Sequence, residues 1–200
     1  VTTLDINYRT HNGILKAACG VIDVLRYFFP TSFDMLKREK GFFDGPRPIC
    51  LIETKEEEAT VMIVGSDRKQ SQIEFGAHQV ILVRSQEAKE ELPDDLKKCL
   101  VMTVTESKGL EFDDVFLWNF ATDSRADQEW RLLLTYLLEM DDEADIALKA
   151  NDLPDKSVQG MLRTLKFEKH AHQILCEELK HLYTAITRCR VRLVIYERDK

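Results

Sequence analysis

Apolar residues at Ile14, Leu15, Ala18, Val21, Ile22, Leu25 and Phe28 recur at the spacing of one helical face. They predict a helix over 13–29, ended by Pro30. Three other runs read as strands: PICLIE after the turn-rich GFFDGPRP (41–48), then VMIVG (61–65) and QVILV (79–83). The last two are short, β-branched and apolar on both faces, as buried parallel strands are. A helical stretch over 86–98 precedes CLVMTV (99–104), DVFLWNF follows, and VRLVIYE (191–197) closes the series. Strands separated by helices, without Asn-Gly hairpin turns, predict an α/β fold with a mainly parallel sheet flanked by helices.

Two further segments stand out. Trp130, Leu133, Leu134, Leu137 and Leu138 form a helical stripe, followed by DDEAD and a weakly patterned stretch to Pro154. The expectation is one domain over 1–200 in which residues 121–172 form a helical, partly acidic insert. Over 174–189, Leu175, Leu179, Leu182, Ile186 and Cys189 make a buried stripe, while Glu177, His181, Thr184 and Arg188 share another face.

Charge changes the picture only when it is localised. The chain carries a formal net charge of −7. Residues 121–155 alone hold ten acids against three bases, so the remainder is neutral. Within that remainder, 156–192 carries eight Lys or Arg against three acids. The global sign therefore does not exclude a nucleic-acid partner. No apolar run is long enough to span a bilayer, and no membrane role is expected. Five scattered cysteines without a CxxC predict a reduced, intracellular protein, and a start at Val1 without Met predicts an excised part of a longer chain.

Candidate chemistry gathers in three places. TESKG follows CLVMTV, where ligands bind beyond the carboxyl ends of parallel strands, and Thr103, Thr105, Ser107 and Lys108 offer donors suited to phosphate. A helix cap and turn uses the same residues equally well. Arg188, with Arg190 and Arg192 just beyond, serves either helix termination or an anion. In LDINYRTHNGI (4–14), Tyr8 and Arg9 offer a stacking ring and a guanidinium, or a core residue and a surface charge. His170, His172, Cys176 and His181 match no zinc spacing, and Glu56–Glu58 and Asp141–Glu143 read as solvated charge. Asp113-Asp114 precedes a strand and is not expected to bind metal.

Taken together, NYRTHNGI, TVTESKGLEFDDVFL and EELKHLYTAITRCR resemble, in order, the fourth, fifth and sixth motifs of UvrD/Rep-type superfamily 1 helicases. The FFP…GFFDGPRP stretch is also similar to the helicase-like region of large tetratricopeptide- and ankyrin-repeat proteins. The resemblance implies a second RecA-like lobe that works with a first lobe and ATP. It implies that Tyr8 stacks on adenine, Arg9 approaches the terminal phosphate, Gly109 lies near the phosphates and Glu111 meets the ribose. Arg188 would be the arginine finger, and Thr103, Thr105 and Ser107 would line the track for single-stranded nucleic acid, with DNA expected over RNA.

Three departures from that pattern matter. Thr105 stands where the family usually carries a histidine in its fifth motif. The accessory subdomain between the fourth and fifth motifs is missing, since only about ninety residues separate them. There is no GxxxxGK[ST] and no strand ending in paired acids, so the Mg²⁺ that accompanies ATP would be held by the first lobe. The expectation is half of an ATPase, inactive alone. The alternative is a non-enzymatic helicase-like module that binds nucleic acid or protein.

Overall fold

The computed structural model describes residues 6–32, 38–51, 54–65, 78–140 and 166–198. Five strands form one sheet: β3 (Ile49–Leu51), β4 (Gln79–Val83), β5 (Val101–Thr103), β6 (Phe112–Trp118) and β7 (Cys189–Tyr196). Their order is β3-β7-β6-β4-β5, and every neighbouring pair is parallel. A separate pair of two-residue strands, β1 (Ile6–Asn7) and β2 (Lys40–Gly41), is also parallel. The expected parallel α/β architecture is therefore present.

The strand sequences explain why helices cover both faces. Successive side chains of a strand point to opposite faces. Val80, Leu82, Val115, Leu117 and Leu193 enter one core with α1 (Asn12–Phe28) and α6 (Gln173–Ile186). Ile81, Val83, Phe116, Trp118, Val194 and Tyr196 enter the other, beneath α2 (Glu56–Gly65), α3 (Gln86–Glu90) and α4 (Asp94–Lys97). A strand apolar at every position needs apolar cover on each side, and a parallel sheet wrapped by helices supplies it.

VMIVG is not a strand. It is the second half of α2, where Ala59 and Ile63 are buried one turn apart while Val61 and Met62 are exposed. Burial at i and i+4 is helical, and Glu56, Glu57 and Glu58 occupy the first turn, where the helix dipole favours acids. The stretch over 86–98 is two short helices, because Pro93 lacks the N–H that a continuous helix requires. Ser85 caps the first by accepting a hydrogen bond from the Ala88 N–H (3.2 Å). The last helix ends at Ile186, so Arg188 lies in the turn beyond it and Cys189 opens β7.

Of the acidic segment, a 3₁₀ turn (Glu129–Arg131) and α5 (Leu132–Met140) are seen, and residues 141–165 lie outside the described residues. Ala126 and Leu132 are fully buried in the core beside α1 and α6. The beginning of this segment is thus joined to the main core.

Candidate functional site

Two ends of the sheet carry different chemistry. At the carboxyl end of β5, Thr103 and Glu106 bind reciprocally. The Thr103 N–H donates to Glu106 Oε2 (2.7 Å), and the Glu106 N–H donates to Thr103 Oγ1 (3.2 Å). This is capping-box chemistry on a turn that does not continue into a helix. The hydrogen bonds to the backbone hold the Glu106 carboxyl below its usual pKa. Ser107 is buried and donates to the Val104 carbonyl (2.8 Å). Thr103 and Ser107 therefore use their side chains inside the turn, while Thr105 and Lys108 face outward.

The chain from Val104 to Glu111 then returns along the sheet without a helix. Thr103 is level with Val83, at the carboxyl end of β4, whereas Asp114 is level with Gln79, at its amino end. Val104 and Ser107 face inward along this strap. Gly109, at φ +89°, turns the backbone through the left-handed region just before Glu111. A methyl at Gly109 would meet nothing within 4 Å, so the residue serves conformation and not space. Gly109→Ala is expected to cost about 1–2 kcal/mol, read as a lower urea midpoint. An unchanged midpoint would show that the strap tolerates another backbone path.

The strap delivers Leu110 and Glu111 to the amino ends of β6 and β7. There the Phe112 N–H donates to the Arg188 carbonyl (2.9 Å), and β6 carries a register shift between Phe112 and Asp114. Arg188 Nη1 donates to the Leu110 carbonyl (3.0 Å), and its Nε donates to the Thr184 carbonyl (3.2 Å) in the last turn of α6. Arg9 Nη1 pairs with Glu111 Oε1 at 2.9 Å, with both side chains about two-fifths exposed. Burial, then the charge of Arg9, lowers the Arg188 pKa, and Glu111 opposes this. Two guanidinium groups thus share one neighbourhood with a single carboxylate. That leaves excess positive charge, which suits an anion such as phosphate. Among the described residues, Arg188 makes no ion pair, and no three His, Cys, Asp or Glu side chains gather to hold a metal.

The Arg9–Glu111–Arg188 group lies at the amino-terminal edge of the sheet, because the strap runs back past β4 before β6 begins. Thr103, Thr105, Ser107 and Lys108 stay in the turn at the carboxyl edge. At Arg188 the helix-termination reading holds: Nε donates to the Thr184 carbonyl and Nη2 to Thr187 Oγ1 (3.4 Å), both at the end of α6, while Nη1 reaches the strap at Leu110.

Tyr8 is not a core residue. It is 69% exposed and stacks on Phe42, which is also 69% exposed, with centroids 5.3 Å apart and an interplanar angle of 29°. The segment around Tyr8 is fixed by Asn7, whose Oδ1 accepts from the N–H groups of Arg9 (2.8 Å) and Thr10 (3.1 Å). His11 Nε2 donates to the Val191 carbonyl (2.8 Å), and Thr10 Oγ1 donates to that of Arg190 (3.2 Å), tying the motif to the start of β7. Phe42 was not among the candidates drawn from the sequence. Its signal is a pair of phenylalanines inside the otherwise polar, Gly- and Pro-rich GFFDGPRP.

Comparison with known proteins identifies a family for the larger part of the chain. Residues 85–199 match the family model of the UvrD-like helicase C-terminal domain. The human TPR and ankyrin repeat-containing protein 1 is 45% identical over 195 residues, covering 97% of this chain. The chain spans about 7% of that relative's length. A solved C-terminal domain of a possible DNA helicase from Lactobacillus plantarum aligns with a TM-score of 0.48 and 14% identity, covering 96% of this chain and 87% of that one. No helix among the described residues is long and apolar enough to cross a membrane. The chain belongs to the family of UvrD-like helicase C-terminal domains.

Proposed function

We propose that the chain is the second motor lobe of an ATP-dependent superfamily 1 helicase or translocase, supplying an arginine finger to a nucleotide held mainly by a first lobe. The supporting observation is the convergence of Arg9, Glu111 and Arg188 at one edge of the sheet from three distant parts of the chain. In this reading Arg188 and Arg9 neutralise charge on the terminal phosphate, which is where phosphoryl transfer gains most from protein groups. Glu111 keeps Arg9 in place through Oε1, and in this reading its carboxylate also meets the ribose. Tyr8 stacks on the adenine, and Gly109 lets the strap approach the phosphates. Mg²⁺ belongs to the first lobe, which supplies the acids and the GxxxxGK[ST] loop that this sequence lacks. The contact with single-stranded nucleic acid falls to the carboxyl edge, through the outward-facing Thr105 and Lys108, with Thr103 and Ser107 shaping the turn that presents them.

The test is direct. The isolated 200 residues are expected to release no phosphate from ATP, and joining them to a first lobe that carries GxxxxGK[ST] is expected to give turnover stimulated by single-stranded DNA. Hydrolysis by the pure chain would overturn the half-site reading. A second reading, a non-enzymatic interaction module, is favoured by Thr105 in the place of the family's histidine and by the repeat architecture named for the human relative. A first lobe without an intact GxxxxGK[ST] in the parent protein would support it.

A further inference from the structure

We propose that Phe42 is a positioning residue for base recognition, holding the Tyr8 ring as a platform on which the base of a nucleoside triphosphate stacks. This rests on the reading of Arg9, Glu111 and Arg188 as a triphosphate site. Two large rings that are each 69% exposed gain little from leaving water, so core packing does not account for them. Their offset stacking fixes one face of Tyr8 against Phe42 and leaves the other face open. Arg9 is the next residue in the chain and points to the anion site, so a ligand with its base on Tyr8 carries its phosphates toward Arg9 and Arg188.

The loop around Phe42 is built to hold that ring still. The Phe42 N–H donates to the Asn7 carbonyl (2.9 Å), and the Asn12 N–H donates to the Phe43 carbonyl (3.0 Å). Asn12 Oδ1 accepts from the Gly41 N–H (2.7 Å), while Asn12 Nδ2 donates to Asp44 Oδ1 (2.8 Å). The approach is close enough that a Cβ at Gly13 would collide with the Pro46 carbonyl oxygen, and one at Gly45 with the His11 ring. NYRTHNG and GFFDGP are therefore one clamped unit. Tyr8 and Phe42 are its two most exposed aromatic residues, ahead of Phe43.

ATP and inorganic triphosphate, which has no base, are titrated into the 200-residue chain at millimolar concentrations and followed by NMR shifts. ATP is expected to bind more tightly than triphosphate, and Tyr8→Ala is expected to abolish that difference. Phe42→Ala should weaken ATP about two- to tenfold, the range of an aromatic pair, with triphosphate affinity unchanged. Phe42→Trp should retain the base-dependent difference. Arg188→Ala should weaken both ligands. Unchanged ATP affinity in Phe42→Ala overturns the assignment, as does an equal loss for ATP and triphosphate, which reports a general defect in the lobe. Either result leaves the triphosphate site standing if Arg188→Ala still weakens both. Undetectable ATP binding by the unsubstituted chain at these concentrations overturns the Tyr8–Phe42 platform.

Discussion

Arg188→Ala, placed in the chain joined to a competent first lobe, is expected to lower nucleic-acid-stimulated ATP turnover by about a thousandfold or more, the usual effect of losing an arginine finger. The loss should appear in kcat at saturating ATP, because charge on the transferring phosphoryl group grows toward the transition state. The fold should survive. The bonds that Arg188 makes go to the carbonyls of Thr184 and Leu110 and to the Thr187 hydroxyl at the rim of the sheet, where water can replace it. Arg188→Lys should not restore activity, since a point charge lacks the planar fork that reaches two oxygens while also capping α6. Arg9→Ala should be milder or similar, because Arg9 is already shared with Glu111. A kcat for Arg188→Ala within a few fold of the unsubstituted protein, with ATP saturating, would remove the finger assignment. An unchanged thermal midpoint must accompany the loss for it to count in favour.

The sheet was legible because QVILV and the apolar cores of DVFLWNF and VRLVIYE present apolar residues to both faces, as buried parallel strands do. VMIVG had the same local appearance and a different fate. Five apolar residues cannot separate a buried strand from a helix turn, and the preceding Glu56–Glu58 run was the cue that it begins a helix. The strands β1 and β2 left no trace, since two residues have no periodicity. The nearness of Arg9, Glu111 and Arg188 was legible through motif order, but their position on the sheet was not. Whether residues 104–111 stay at the carboxyl edge or return to the amino edge depends on strand order, and the order β6-β4-β5 is a long-range property. Phe42 escaped for a related reason, because its partner Tyr8 is reached only through pairing of β1 with β2. Equally invisible was the pairing of Arg84 with Glu178, two charged residues that look solvent-facing in the sequence.

That pair is where the largest stability effect is expected. Glu178 is only 1% exposed, yet Arg84 Nε donates to its Oε2 (2.6 Å), Arg84 Nη2 donates to its Oε1, and Ser124 Oγ donates to Oε2 (2.9 Å). Arg84→Ala leaves a buried carboxylate with one hydroxyl, and breaking such a pair costs about 3–5 kcal/mol. Replacing both partners with apolar residues of similar volume, as in Arg84→Met with Glu178→Leu, should recover most of that loss, because desolvation of the two charges disappears with them. Burial alone would raise the Glu178 pKa, but the hydrogen bonds from Arg84 and Ser124 outweigh it and hold the carboxyl below its usual value. A depressed carboxylate contributes stability fully above its unfolded pKa, about 4.3, and loses it as pH falls through the folded value. His181 nearby has its pKa lowered by burial and by Arg84, so it adds a separate loss at higher pH. Glu178→Gln should therefore differ most from the unsubstituted chain at pH 7, and the two urea midpoints should approach each other below about pH 4. A difference that stays constant from pH 7 to pH 3 would show that the charge of Glu178 is not what matters. The consequence reaches function through α6. Its amino-terminal half is anchored by Arg84 at the carboxyl edge of β4, and its far end presents Arg188 at the amino edge. Loosening the anchor should displace Arg188 before the sheet itself unfolds.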